Sequence, residues 1–278
     1  QFYDLAYSLE RERPAAESWL RSTFNLPDET QLNGLGALGS DRRWQRGQAF
    51  WELGLYPEAN SEFEALRLAV QSDAADSYRL LNALLEHGMY RSAILTSRQI
   101  LDLANLSDAQ TLNAPRYFNL VRFGVYYPEL VLPAAQQYAF NPMLLLSVIR
   151  QESFFQSFAR SSAGARGPMQ IMPATGAEIA TFLGWPQGYT AEDLYRPVIN
   201  IPFGASYLDR QQRSFDGNLY ATLAAYNGGP GNAAAWLSEA PNDPDLFLEI
   251  IRYSETRSYL TRVAENFFIY STLYQRSP

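Results

Sequence analysis

This sequence predicts a mainly α-helical protein built in two parts. A turn pattern around Gly54 returns around Gly88, 34 residues later, which is a period typical of stacked helical hairpins. Proline and glycine residues then cluster between residues 114 and 133, and such residues interrupt regular structure. Beyond them, Asn141-Pro142 is a helix-start signal, because Asn caps helices and Pro suits their first turn.

Composition and charge bound the class of protein. The chain has 278 residues, of which 47% are hydrophobic and 18% charged, so it can bury one large core or two smaller ones. Its net charge of −7 argues against a nucleic-acid binder, which normally carries a basic patch. We therefore expect no nucleic-acid partner.

Missing residue types exclude several kinds of chemistry. There is no Cys and a single His, so disulfides, thiol nucleophiles and Cys/His zinc sites are ruled out. All 22 positive charges are Arg, which excludes any reaction that needs a lysine amine. A Ser-His-Asp triad would have to use His87, which lies far in sequence from the motifs below and is interpreted as a solvated turn residue.

The first half is predicted to form tetratricopeptide-like helical hairpins. Both turns carry Gly, a long apolar residue, Tyr and Ala in the same relative places. The glycine lets the chain reverse with positive φ, and the Tyr and Ala are expected to pack between the helices. Two hairpins cannot bury their faces alone, so they should stack on neighbouring helices into a superhelix. The predicted helices span residues 15–24, 42–53, 58–70, 76–86 and 91–104.

A domain boundary is expected where Pro115, Gly124, Pro128 and Pro133 punctuate the chain. On this basis residues 1–130 form a helical repeat domain. Residues 131–278 form a second domain, in which short helices alternate with Gly- and Pro-rich turns.

Glu152 lies at the end of the helix that Asn141-Pro142 opens. It continues the apolar stripe of Leu145, Val148 and Ile149 at helical spacing, which places a carboxyl group on the buried face. Burial and the carboxyl end of a helix both raise the pKa of a carboxylic acid. A carboxyl that stays protonated near neutral pH is what a general acid for glycoside cleavage needs. The alternative is a Glu at a frayed helix end that reaches solvent.

A stretch rich in small residues follows, at residues 161–176. Its glycines allow the backbone to approach a bulky ligand closely. Gln170 could present an amide into a cleft, and Met172 offers a soft apolar surface. On the residues alone, this stretch is a structured loop.

Four motifs follow one another from Glu152 onwards. They are Glu152-Ser153 with residues 164–175, Asn200-Ile201 with Gly204 and Tyr207-Leu208, residues 225–231, and residues 249–259. Together they closely resemble the catalytic domain of soluble lytic transglycosylases. The match covers about residues 131–274, and four motifs in order are a far more specific signal than any one of them. The helical first half also resembles, less specifically, the superhelical segment that precedes this domain in the larger family members.

The resemblance implies a lysozyme-like, mainly helical catalytic domain with a long glycan groove. Carried over position by position, it makes Glu152 the catalytic acid. Pro168 departs from the family pattern, which usually has Leu there, and a proline lacks the N–H that such a position could use. The residues implied to line the groove near the acid are Ser161, Gln170, Met172, Tyr226, Asn227 and Glu255.

Several of these residues could instead have a purely structural role. Tyr226 follows a predicted helix over 219–226 and could equally be a core tyrosine. Glu255 could be a first-turn acid that complements a helix dipole. Core packing is favoured over sugar stacking for three other aromatic residues, Trp185, Tyr189 and Trp236.

The reaction that the resemblance implies is non-hydrolytic. Glu152 protonates the β-1,4 bond between N-acetylmuramic acid and N-acetylglucosamine, then takes the proton of the C6 hydroxyl, which closes to a 1,6-anhydro product. Ordinary glycosidases use two carboxylates, and three candidates for a second one, Glu178, Glu192 and Asp193, are interpreted as helix-capping or surface residues. No cofactor or metal is expected.

Two other functions stay open. One is a hydrolase of the goose-type lysozyme or chitinase kind, which would need a water and a second carboxylate. The other is a non-catalytic wall-binding or scaffold protein. In the favoured case the partner is a peptidoglycan strand, the protein is a monomer, and the helical half could also dock a protein partner.

An exported protein of the periplasm or cell envelope is expected. The chain begins with Gln1 rather than Met, so a signal peptide could have been removed. The chain has no run of about 18 to 20 apolar residues, the length that a membrane span needs.

Overall fold

The computed structural model describes residues 5–240 and 243–274. Within those ranges the regular structure is helical, with two isolated β-bridges and no strand. The chain divides into two compact units, Gln1–Tyr126 and Tyr127–Pro278. The prediction of a mainly α-helical protein is therefore confirmed.

The first unit is a series of helices joined by short turns. Two hairpins lie at its centre, α2 with α3 and α4 with α5, and α7 packs against α1 and α5. Its elements are α1 (Leu5–Phe24), a 3₁₀ helix (Gly36–Ser40), α2 (Arg42–Glu52), α3 (Tyr56–Ala69), α4 (Ala74–Glu86), α5 (Tyr90–Leu103), α6 (Asp108–Thr111) and α7 (Arg116–Arg122).

The repeated turn has the backbone that its glycines predict. Gly54 and Gly88 have φ of 74° and 67°, and Ala59 and Ala93 are fully buried between the helices. In the first hairpin Tyr56 stays 41% exposed, although its ring lies 4.7 Å from that of Trp51 in the partner helix α2.

Helix α1 begins well before the predicted start at residue 15. Pro14 lies inside this helix, whereas the helix expected from the sequence began directly after that proline. A proline removes one helical hydrogen bond and often bends a helix. Side-chain burial of Ala16 and Leu20 against the rest of the unit offsets that loss.

His87 is not the solvated residue that its turn position predicted. Its Nδ1 lies 2.9 Å from the carbonyl oxygen of Ala83. Its ring packs against Trp44, Phe63 and Trp51, at centroid distances of 5.2, 6.1 and 6.4 Å. Those aromatic residues come from the preceding hairpin, so no local pattern reveals them.

The second unit surrounds a buried helix. Helix α9 packs against α15 and α8, while α12 packs against α11, α13 and α15. Its elements are α8 (Pro128–Gln137), α9 (Pro142–Ser153), α10 (Pro173–Leu183), a 3₁₀ helix (Ala191–Tyr195), α11 (Pro197–Ser214), α12 (Leu219–Gly228), α13 (Pro230–Glu239), α14 (Pro244–Ile250) and α15 (Ser254–Tyr274).

Helix α9 begins and ends as its sequence indicates. The Asn141 side chain accepts a hydrogen bond of 2.9 Å from the Met143 amide, and Pro142 occupies the first turn. Phe154, with φ of 52°, ends the helix in the left-handed region. Leu145, Val148 and Ile149 are fully buried, so the stripe that carries Glu152 faces the core.

The candidates for a second catalytic carboxylate lie largely where the sequence analysis expected them. Asp193 and Thr190 form a capping box at the 3₁₀ helix, as predicted. Glu178 lies on the exposed side in the middle of α10 and not at its start.

In the described part of the chain, no helix combines the length and the hydropathy that a membrane span requires.

Candidate active site

Glu152 lies in the last turn of α9, half-buried in the second unit. Burial raises the pKa of its carboxyl group to about 8, and the negative charge of Glu255 adds to the increase. A nearby hydroxyl, that of Tyr259, acts in the opposite direction and lowers this pKa. The carboxyl is therefore protonated near neutral pH, as the sequence analysis expected.

Two tyrosines flank the carboxyl, Tyr226, which is half-buried, and Tyr259, which is buried. Burial and the proximity of Glu152 raise the pKa of both Tyr226 and Tyr259 well above 10, so both stay neutral hydroxyl donors. Tyr259 is 4% exposed, and its hydroxyl has no partner at ordinary hydrogen-bonding distance in the described structure. An unpaired hydroxyl directed at a carboxyl is able to donate to it once the carboxyl loses its proton.

Tyr259 is a site residue that the sequence analysis missed. It belongs to the last motif, residues 249–259, but it lies inside α15, where a core tyrosine has the same spacing. Glu255, which was identified, lies in the first turn of the same helix and is exposed. One turn of helix separates the two residues, so both reach the vicinity of Glu152.

The loop between α9 and α10 is held by side chains from three helices. Ser153 donates to the carbonyl oxygen of Pro168 at 2.7 Å, and Tyr226 donates to that of Met169 at 2.8 Å. Asn200 is fully buried; it accepts from the Met169 amide at 2.7 Å and donates to the carbonyl of Arg166 at 2.8 Å. These bonds fix the main chain of residues 166–169 beside Glu152.

Gly167 is the point of closest approach in this loop. It has φ of 77°, and a Cβ atom there would lie 2.0 Å from the Leu194 carbonyl oxygen and 2.4 Å from Nδ2 of Asn200. Only glycine fits both the backbone conformation and the space. Gly167 thus allows neighbouring protein groups to approach the backbone, whereas Gly164 has nothing within 4 Å of the position of a Cβ atom.

Pro168 leaves the anchoring of the loop intact. The hydrogen bond from Ser153 uses its carbonyl oxygen, which proline retains. The amides on either side are paired, since Gly167 donates to Ala159 at 2.9 Å and Met169 donates to Asn200. The departure from the family pattern does not displace the loop.

The remaining implied groove residues lie on or next to this loop. The Ser161 hydroxyl accepts from the Ala165 amide at 3.0 Å. Gln170 has φ of 50°. Its side-chain amide nitrogen donates to the Gly167 carbonyl at 2.8 Å, so this side chain forms a hydrogen bond within the loop. Met172 caps α10 and is 41% exposed, and Asn227 is half-buried in the last turn of α12.

Three aromatic residues that could stack sugars are divided between core and surface. Trp236 is 5% exposed, in line with core packing, whereas Trp185 is 42% exposed. Tyr189 packs against Phe203 at 5.8 Å, and its hydroxyl is buried against Gly176.

Within residues 5–240 and 243–274, no group of three His, Cys, Asp or Glu side chains could hold a metal ion.

This arrangement provides one protonated carboxyl, two neutral hydroxyls and a rigid loop. The family model described as Transglycosylase SLT domain matches residues 129–246, a range that contains Glu152 and Tyr226. The second half of this chain is therefore similar to that family. Residues 254–259, which supply Glu255 and Tyr259, follow the matched range.

Curated relatives agree with this assignment. Over 144 residues the chain is 33% identical to the soluble lytic murein transglycosylase of Salmonella typhimurium, covering 51% of this chain and 22% of the relative. It is 32% identical over 178 residues to membrane-bound lytic murein transglycosylase C of Haemophilus influenzae, covering 60% and 49%. The chain thus spans less than half the length of these relatives.

A solved structure extends the similarity of fold across most of the chain. The lytic transglycosylase Slt of Pseudomonas aeruginosa, crystallised as an inactive Glu-to-Gln mutant, has a TM-score of 0.68 at 25% identity. The aligned region covers 91% of this chain and 40% of the Pseudomonas aeruginosa chain. The prediction of a lysozyme-like SLT domain with helices before it is confirmed.

Proposed function

We propose that this protein is a peptidoglycan lytic transglycosylase that uses Glu152 as its general acid and then as its base. The observation that carries the proposal is the burial of this carboxyl, which raises its pKa to about 8 and keeps the proton on it. The family assignment of residues 129–246 supplies the substrate class.

In the proposed reaction, the Glu152 proton passes to the oxygen of the β-1,4 bond between N-acetylmuramic acid and N-acetylglucosamine. The bond to the muramic C1 breaks, and the substrate's own N-acetyl group or nearby dipoles stabilise the positive charge there. The Glu152 carboxylate then removes the proton of the C6 hydroxyl, whose oxygen bonds to C1. The product is a 1,6-anhydro sugar, no water is consumed, and Glu152 ends the cycle protonated.

The residues around Glu152 have distinct proposed roles. Tyr259 donates to the transient carboxylate, since its hydroxyl is buried beside that carboxyl with no other partner at bonding distance. Tyr226 holds the loop through Met169. The residues proposed to contact the glycan are Ser161, Gln170, Met172, Asn227 and Glu255.

One feature favours testing hydrolysis as a second candidate function. The exposed carboxyl of Glu255 is close enough to Glu152 to raise its pKa. A hydrolase would use such a second carboxylate to activate a water. The two functions differ in the end group of the product.

We also propose the role of the first half and the place of action. Residues 1–130 form a helical repeat domain before the catalytic domain of residues 131–278, and the protein acts as an exported monomer in the periplasm or cell envelope. Stacked helical repeats commonly present interaction surfaces, which supports docking of a protein partner on that unit.

Mass spectrometry of muropeptides released from purified peptidoglycan tests the function. The wild type should release products with 1,6-anhydro ends, and Glu152→Gln, which keeps the size of the side chain, should release none. Products one water heavier would replace the lyase with a hydrolase. No products from either protein would favour a non-catalytic wall-binding protein.

A further inference from the structure

A strip of aromatic and cationic side chains leads away from Glu152 along α11. The ring of Tyr226, beside Glu152, lies 5.3 Å from the ring of Tyr207. The guanidinium carbon of Arg210 lies over the Tyr207 ring, 4.9 Å from its centroid. Tyr207 and Arg210 are three residues apart on the helix and so share one face.

Arg210 is held in place by its aromatic neighbour more than by its acidic one. Both of its terminal nitrogens lie 3.5 Å from one carboxylate oxygen of Glu178, whereas charge-assisted hydrogen bonds usually measure 2.7 to 2.9 Å. The two side chains are 48% and 65% exposed, and ion pairs of that kind contribute little. The guanidinium thus lies against the Tyr207 ring and is only weakly paired with Glu178, so it is able to bind another carboxylate.

Two other arginines near the loop, Arg166 and Arg150, already have partners. Arg166 pairs with Glu192 at 2.6 Å and is only 14% exposed, and its guanidinium also lies over Tyr195. Arg150 lies over Phe154 and donates to Asn266. Arg210 is thus an exposed, weakly paired cation that is linked to Glu152 through two aromatic rings.

We infer that Tyr207 and Arg210 form a binding site for a carboxylate on the peptide stem of the glycan strand. This inference rests on the proposed function, which brings N-acetylmuramic acid beside Glu152. The stem is attached through the lactyl group of that sugar, so its carboxylates lie in the neighbourhood of the cleaved linkage. Arginine offers the planar pair of N–H donors that matches a carboxylate, and the chain as a whole, with a net charge of −7, would otherwise repel an anionic stem.

Equilibrium binding to the inactive Glu152→Gln protein tests this site without catalysis. The probes are glycan oligosaccharides that keep their peptide stems and the same oligosaccharides with the stems removed. Adding Arg210→Gln should raise the Kd for the stem-bearing glycan by about threefold to tenfold, the range of a half-exposed ion pair. The Kd for the stem-free glycan should not change, and the effect should shrink as salt is raised.

Arg213→Gln is the matched control. Arg213 lies one turn beyond Arg210 on α11, is 77% exposed and pairs with Asp209 at 2.9 Å, so its replacement makes the same change of net charge. An equal loss with Arg213→Gln, an equal loss on both glycans, or no loss at all would overturn the inference. The proposed function is judged separately from the end groups of the products, so it can stand if this site fails.

Discussion

The hydroxyl group of Tyr259 faces the carboxyl group of Glu152 inside the second unit, and it has no other partner at bonding distance in the described structure. Its presence lowers the pKa of Glu152, while burial and the charge of Glu255 raise it. Burial and two named side chains thus set the pKa of Glu152. Because Tyr259 and Glu255 act in opposite directions, each can be replaced in turn and its effect on that pKa measured.

The activity of the wild type should fall as pH rises through about 8. Glu152 must hold its proton to act as an acid, and its pKa in the folded protein is about 8. The measurement is kcat/KM for release of anhydro products between pH 5 and pH 10. A loss of activity centred near the usual glutamate pKa of 4.5 would show that the carboxyl is not buried in the working enzyme.

The stability of Glu152→Gln should depend less on pH than that of the wild type. The pKa of Glu152 is raised from 4.5 to about 8 on folding, so the folded state retains a proton that the unfolded state releases between these values. The wild type therefore loses stability as pH rises across this window, and glutamine does not. Denaturation at pH 4 should give similar midpoints for the two proteins, and at pH 9 the variant should be the more stable.

Tyr259→Phe should move the alkaline loss of activity to higher pH. The hydroxyl favours the ionised carboxyl, so its removal raises the pKa of Glu152 further. The loss of one hydrogen bond to the transient carboxylate should also lower kcat by about fivefold to tenfold. Tyr270→Phe, at another fully buried tyrosine of α15, is the control and should leave the pH profile in place.

Glu255→Gln should move the same loss of activity to lower pH. The negative charge of Glu255 raises the pKa of Glu152, and glutamine removes that charge at almost constant size. High salt should reduce the difference from the wild type, because Glu255 is exposed. Glu265→Gln, at another exposed acid of α15, should show no shift, and an equal shift there would point to net charge alone.

Asn200→Asp should destabilise the second unit. Aspartate keeps the acceptor for the Met169 amide but loses the donors to the carbonyls of Arg166 and Leu194, which lie 2.8 and 2.9 Å away. Two buried acceptors without partners and a buried charge should cost about 2 to 4 kcal/mol in urea denaturation.

Asn218→Asp provides the comparison for that variant. Asn218 caps α12 by accepting from the Ala221 amide at 3.0 Å, and aspartate is an equally good cap. A large loss of stability with both variants would mean that the effect of Asn200→Asp does not come from its anchoring hydrogen bonds.

The parts of the fold that the sequence predicted are those with local signals. Asn141-Pro142 opens α9 through a cap that needs only its own neighbours. Gly54 and Gly88 place both hairpin turns, and the predicted helices of the first unit end within a few residues of the observed ones. His87 was misjudged because its ring neighbours Trp44 and Phe63 come from another hairpin.

The site shows the same division between local and distant information. The burial of Glu152 could be predicted from its stripe, and family motifs indicated Tyr226 and Glu255. Tyr259 was missed because an internal tyrosine of a long helix has the same pattern whether it faces a core or an acid. The role of Asn200 was also hidden, since its partners lie in a loop more than 30 residues before it.

Three side chains outside the loop beside the acid hold its shape. Ser153, Asn200 and Tyr226 bind its main-chain atoms, and main-chain atoms are the same for every amino acid. The codon for residue 168 is therefore free to change among residues that fit its buried space, as the proline there illustrates. The codon for Gly167 is not, because only glycine fits there. The catalytic geometry is thus inherited through three codons outside the loop together with the codon for Gly167 within it.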